Sequence, residues 1–143
     1  MPLVVRGKNG VGSYHRRPYD HHTLLMHTPG EKFVVPSTAL DAKGLMTAAT
    51  RDDNPVFFME HMALYHGQRD AIPDGDFVIP LGRADVKRAG RDATVVASAA
   101  MVPQEPAAAA APAADGVDGG GVALRTLVPQ DRTRSTETDR RSG

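Results

Sequence analysis

The six histidines come first, because imidazole is the commonest metal ligand and the commonest proton carrier near neutral pH. His15, His21, His22 and His27 lie close together, but their spacing is irregular and Asp20 is the one carboxylate near them. Metal sites repeat ligands at short fixed intervals, so loop histidines are the plainer reading. His61 and His66 fare no better. Gly7, Gly10 and Gly12 invite comparison with a phosphate loop, yet no Lys-Ser/Thr pair or helix start follows them. A turn-rich loop is expected there. Asp52, Asp53 and Asn54, just before Pro55, gather polar oxygens in what reads as a helix-terminating turn.

Composition removes several kinds of chemistry. The absence of cysteine excludes disulfides, thiolate catalysis and zinc–cysteine sites. Seventeen basic residues balance seventeen acidic ones, so no net charge draws the chain to nucleic acid or to an acidic membrane. Arg132, Arg134, Arg140 and Arg141 alternate with Asp131, Glu137 and Asp139, as in a solvated tail. No apolar run is long enough to span a membrane, and Met1–Arg6 is too short for a secretory signal. A soluble, cytoplasmic protein is expected.

The elements that would position a site sit in the first two-thirds of the chain, where all seven aromatic residues lie. Leu3–Val5 reads as a short strand, with 6–12 as a loop. Phe33-Val34-Val35 is a β-branched buried strand. Thr38 offers an N-cap hydroxyl, and Asp41 falls in the first turn of the helix that follows. From 39 to 50, Leu40, Leu45, Met46 and Ala49 form an apolar stripe, and Gly44 marks close packing against the sheet. Val56–Met59 is a second buried strand. Strand, helix and strand with short loops make a βαβ unit and a parallel sheet.

Farther on, 61–75 is a long connection and 77–80 an extended piece. Residues 84–88 alternate like a half-exposed strand, and 94–97 reads as a buried one. From Pro103 to Gly121, 14 of 19 residues are Ala, Gly or Pro. Interior prolines at 106 and 112 oppose a helix at about 3 kcal/mol each, and Gly119–Gly121 weaken the strand expected near 122–124. Residues 103–121 are therefore expected to be poorly packed, and 129–143 to be a polar, disordered tail.

Six stretches together resemble one family. They are Pro2–Gly7, His27–Ser37, Asp41–Leu45, Arg51–Val56, Ile79–Val86 and Leu124–Pro129, and they resemble the β subunit of 2-oxo acid dehydrogenases, nearest the pyruvate dehydrogenase type, with acetoin and branched-chain types as relatives. The resemblance implies an α/β fold of transketolase type. Residues 1–81 would be the C-terminal part of a pyrimidine-binding domain, 82–91 a linker, and 92–128 the start of the transketolase C-terminal domain. It also implies partnership with an α subunit and a second β subunit, with thiamine diphosphate at the shared interface. A 2-oxo acid would be decarboxylated there and its acyl group passed to the lipoyl group of an acyltransferase component. A non-catalytic module or remnant docking on such subunits is the alternative.

Residue by residue, the resemblance implies a potassium loop from the carbonyls of Ala49 and Thr50 with Asp52 and Asn54. Helix-end carbonyls with carboxylate and amide oxygens suit a hard cation. It assigns no catalytic and no cofactor-binding residue. The family's cofactor-activating glutamate would lie before Met1, and its motif histidine would fall at Arg17 or Pro18, neither of which moves protons as imidazole does. Nothing indicates that His15 or His21 replaces it.

Overall fold

The structure is a computed structural model that describes residues 1–10, 25–67, 69–111 and 115–134. The readings made above for His15, Arg17, Pro18, His21, His22, Pro112 and 135–143 lie outside those residues. Strands β1 (Leu3–Asn9), β2 (Lys32–Val34) and β3 (Pro55–His61) surround helix α1 (Ala39–Thr50) in sequence, and the short α2 (Leu64–Gly67) follows. Then come β4 (Asp85–Arg88) and β5 (Ala93–Ser98). A 3-10 turn (Ala99–Gln104) runs into α3 (Glu105–Ala110), ahead of β6 (Gly119–Leu124) and β7 (Thr126–Val128).

The βαβ unit forms as the sequence predicts. β2 and β3 are parallel, with Phe33 opposite Phe57, and α1 connects them. Thr38 Oγ1 accepts from the Asp41 N–H at 3.0 Å and caps α1. The first sheet runs β1-β3-β2-β7. On one face, Leu45 and Ala49 of α1 pack on Val34, Val56 and Phe58, and Met46, Ile79 and Leu81 close the rim. On the other, Phe33 and Phe57 stack at 6.0 Å among Val35, Met59 and Leu127.

Several expectations are corrected. β1 continues to Asn9, where a loop was expected, because β3 pairs with it residue by residue from Leu3–Pro55 to Asn9–His61. Gly44 packs on the 77–79 segment rather than on the sheet. A Cβ there would lie 2.6 Å from Ile79 Cγ1, and the Ile79 N–H donates to the Gly44 carbonyl at 3.1 Å. β5 is an edge strand in the order β4-β6-β5, and Val96 is 48% exposed, where a buried strand was expected.

Strand β6, expected to be weak, is the central strand, and Gly119–Gly121 are buried in it. The glycines are needed for space. A Cβ at Gly121 would meet Glu105 Oε1 at 1.5 Å, and one at Gly90 would meet the Gly120 nitrogen at 2.1 Å. Pro106 sits at the start of α3, where its missing N–H costs nothing. Stretch 103–121 is therefore folded where it is described. The first part of the expected tail is packed too: Asp131 Oδ2 accepts from the Ala84 N–H, and Arg134 Nη1 donates to the Ala84 carbonyl, both at 3.0 Å.

One residue ties the two sheets. Arg125, between β6 and β7, donates from Nε to Asp41 Oδ1 at 2.6 Å and from Nη2 to Asp85 Oδ2 at 3.1 Å. Asp41 is fully buried. Stranding a buried charge costs about 3–5 kcal/mol, so Arg125→Met should lower unfolding free energy by that order, and adding Asp41→Asn should restore part of the loss in urea titrations. Gly90→Ala should cost about 1–3 kcal/mol by the same measurement, since the Cβ meets backbone that cannot swing away.

Candidate functional site

Parallel sheets bind ligands beyond the carboxyl ends of their strands. At that end, β2 leads through Pro36-Ser37-Thr38 into α1, and β3 finishes at Glu60-His61 beside Leu64 and Tyr65 of the α2 region. These residues, with Ala39 and Ala42, line a cavity of about 210 Å³. Its walls are mostly apolar, and its polar groups are few.

Ser37 is 1% exposed, and its Oγ has no partner. The Glu60 carboxylate is committed: Arg6 Nη2 touches both its oxygens at 2.7 and 2.8 Å, and the Tyr65 hydroxyl donates to Oε2 at 3.0 Å. Burial, then the Glu60 hydrogen bond, push the Tyr65 hydroxyl above its usual value. His61 Nδ1 accepts from the Ala63 N–H at 3.3 Å, which leaves the neutral ring's proton on Nε2. That ring lies over Gly10, whose φ is +84°, and a Cβ at Gly10 would meet Nε2 at 2.1 Å. At the start of α1, the Ala39 N–H donates to Asp70 Oδ2 at 3.1 Å.

At the other end of α1, the turn holds Ala49, Thr50, Asp52 and Asn54 together. The Asp52 carboxylate pairs with the Lys32 ammonium through Oδ2. Its Oδ1 accepts from the Asn54 N–H at 2.9 Å and from the Asn54 amide at 3.0 Å. The Ala49 carbonyl accepts from the Arg51 and Asp52 N–H groups, and the Thr50 hydroxyl donates to the Thr47 carbonyl. Both carboxylate oxygens are engaged and a lysine already supplies the positive charge, so the arrangement does not fit a potassium ion held by the Asp52 side chain.

Of the three glycines compared with a phosphate loop, Gly12 lies outside the described residues. Gly7 lies inside β1 and the His61 ring covers Gly10, so neither makes a cradle for a diphosphate. Among the described residues, no group of three or more His, Asp or Glu side chains could hold a metal, His27, His61 and His66 included. Sequence reasoning missed Ser37, Glu60 and Tyr65 as neighbours. Their shared place beyond the strand ends is visible only once β2 and β3 are known to be adjacent and parallel.

Two carboxylates keep their charge to unusually low pH. Burial works to raise Asp52, and Lys32 and Asn54 together outweigh it. Burial likewise opposes ionisation of Asp85, and Lys87, Arg125 and Arg134 overcome it. Both fall below the ordinary 3.8. The stability they add is present above that value and lost as pH falls through the lower folded one. The urea midpoint should therefore drop most steeply below about pH 4, and the pair Lys32→Gln with Asp52→Asn should flatten part of that drop.

Comparison with known proteins follows the same lines. The chain is 45% identical over 134 residues to the Bacillus subtilis pyruvate dehydrogenase E1 component subunit beta, covering 91% of this chain and 41% of that protein. It is 39% identical over 146 residues to the 2-oxoisovalerate dehydrogenase subunit beta of the same organism, covering 99% and 44%. It is likewise 39% identical to the Cupriavidus necator acetoin:2,6-dichlorophenolindophenol oxidoreductase subunit beta. The chain thus spans less than half the length of these relatives. In structure it is similar to a split gene transketolase, an inactive β4 tetramer, with a TM-score of 0.81 at 23% identity, covering 98% of this chain and 45% of that one. That likeness carries the fold, a transketolase-type α/β arrangement. No protein-family model matches.

Proposed function

Along nearly its whole length this chain is homologous to the β subunits of 2-oxo acid dehydrogenases, and we propose that it supplies part of such a subunit's share of a thiamine-diphosphate-dependent decarboxylating component. Residues 1–81 stand for the C-terminal part of the pyrimidine-binding domain, 82–91 for the linker and 92–128 for the start of the next domain, with β7 at its end pairing back on β2 of the first sheet. The partners are an α subunit, a second β subunit and a lipoyl acyltransferase, in the cytoplasm. Among the described residues no helix is long and apolar enough to cross a membrane.

The observation that carries this reading is the 45% identity to a pyruvate dehydrogenase β subunit, over a stretch that contains the parallel βαβ unit and its Phe33–Phe57 register. Identity does not rank the substrates, since pyruvate-type subunits run from 35% to 45% and the branched-chain and acetoin types stand at 39%; pyruvate is the 2-oxo acid to test first. Thiamine diphosphate supplies a carbanion to attack the keto carbon when it is bound. At the carboxyl ends of β2 and β3, the carboxylate lining the cavity, Glu60, is already held by Arg6 and Tyr65. The contribution of this chain is therefore positional. It builds the β-subunit wall, and its Lys32–Asp52 ion pair ties the Ala49–Asn54 turn to β2.

Co-expressed with an α subunit of a pyruvate dehydrogenase, the chain should co-purify with it. Supplied alone with thiamine diphosphate and pyruvate, it should release no carbon dioxide. Failure to co-purify, or turnover by the isolated chain, would overturn the reading.

A further inference from the structure

Between α2 and β4, residues 70–79 form a strap that lies against α1. Asp70 Oδ2 accepts from the Ala39 N–H at 3.1 Å, and the Pro73 carbonyl accepts from Lys43 Nζ at 2.8 Å. Asp76 pairs with Arg51 at 2.5 Å, and the Ile79 N–H donates to the Gly44 carbonyl at 3.1 Å. Asp74-Gly75 lies between the second and third of these ties.

Asp-Gly and Asn-Gly pairs carry a reactivity of their own, because glycine has no side chain to shield its nitrogen from the neighbouring carboxyl or amide carbon. The chain has four: Asn9-Gly10, Asp74-Gly75, Asp115-Gly116 and Asp118-Gly119. The structure separates them. Asn9 is buried in β1, and its carbonyl accepts from the Met62 N–H. The Asp118 carboxylate is held by Arg88 and Arg91, and Gly119 is buried in β6. Asp115 stands in a 3-10 turn, whose helical angles turn the next nitrogen away from the side-chain carbon. Asp74 and Gly75 make an exposed bend outside every helix and strand. Gly75 has φ +83°, and a Cβ there would meet nothing within 4 Å. Among the described residues, neither the Asp74 carboxylate nor the Gly75 N–H has a hydrogen-bond partner.

We propose that Asp74-Gly75 is a site of spontaneous isomerisation, at which Asp74 becomes isoaspartate and loosens the strap from α1. The Gly75 nitrogen attacks the Asp74 side-chain carboxyl carbon. A C–N bond forms, the carboxyl C–O bond breaks, and the hydroxyl leaves with the nitrogen's proton as water. Water then adds to the main-chain carbonyl of the succinimide ring and breaks its bond to nitrogen, which takes back a proton. The backbone now runs through the side chain, one methylene longer, and the former main-chain carbonyl is a carboxylate. Mass is unchanged, and nothing but water is needed. The added methylene falls between Pro73 and Asp76, so the ties to Lys43 and Arg51 cannot both keep their geometry.

This chemistry is independent of any role in decarboxylation, so its failure is separate from failure of the proposed function. The full chain, kept for weeks at neutral pH, should accumulate a second form of the tryptic peptide 70–83, equal in mass and different in retention. An isoaspartate methyltransferase with labelled S-adenosylmethionine, used as the probe on the digest, should label that form. The peptides holding Asn9 and Asp118 should stay unlabelled after ageing in the folded state and gain label after ageing in urea, where their protection is gone. Asp74→Glu keeps the charge but would need a larger, slower-forming ring, and should lose the new form. In the isomerised chain, separated by ion exchange, the Ile79 N–H should lose protection from hydrogen exchange relative to the parent. Absence of the new form, its persistence in Asp74→Glu, labelling at Asn9 or Asp118 ahead of Asp74 in the folded chain, or unchanged exchange at Ile79 would each overturn the proposal.

Discussion

The guanidinium of Arg125 is the point on which the arrangement of the two sheets depends. It lies at the break between β6 and β7, where the chain leaves one sheet and enters the other. Its planar fork reaches Asp41 on α1 and Asp85 at the start of β4, a geometry that lysine's single ammonium cannot reproduce. Its backbone carbonyl accepts from the Val35 N–H at 3.0 Å. Asp41 is fully buried, a placement tolerable only with a charged partner. Around this centre run further polar ties: the Thr126 hydroxyl accepts from the Gly82 N–H, and Asp131 accepts from the Ala84 N–H. Directional contacts of this kind fix how the segment from 82 to 85 passes between the sheets.

The second sheet is built on a different principle. Its core contains Ala97, Val102 and Ala123, too little apolar volume to fix strand positions by packing alone. Close backbone approach takes over. Gly90 and Gly120 come together where any side chain would collide, and the Glu105 side chain lies in the space that a residue larger than glycine at 121 would occupy. Both Glu105 oxygens are buried without partners, which is a destabilising arrangement. The glycine strand and the buried acid fit each other in shape and conflict in polarity, so this half of the molecule is held together less well than the first.

That contrast explains what could be read from the sequence. The βαβ unit was legible because each of its signals is local: a β-branched run at 33–35, a capping threonine at 38, a proline at 55 to stop the helix. Strand β1 was half legible. Its apolar residues end at Val5, and only pairing with β3 carries it through Arg6, Gly7 and Lys8 to Asn9. Strand β6 was misjudged because glycine's low strand propensity is a local penalty, whereas its reason for being there, the closeness of Gly90 and Glu105, is wholly tertiary. The proline in α3 was misjudged by position alone, since the same residue is harmful inside a helix and harmless in its first turn.

Helix α1 unites the two candidate sites, because each of its ends meets an ion that the chain itself supplies. At the N-terminus the orphan N–H groups meet Thr38 and the Asp70 carboxylate. At the C-terminus the turn carries Asp52, answered by the Lys32 ammonium from β2. A helix dipole favours anions at the first end and cations near the second, and this fold satisfies both preferences from within. The two ends still differ in one respect. The C-terminal turn is closed, with both oxygens of Asp52 spoken for, while the N-terminal end borders the cavity lined by Glu60, Leu64 and Tyr65. Asp70 reaches the first end from 31 residues away and Lys32 the second from 20, so distant segments help to fix both ends of the helix.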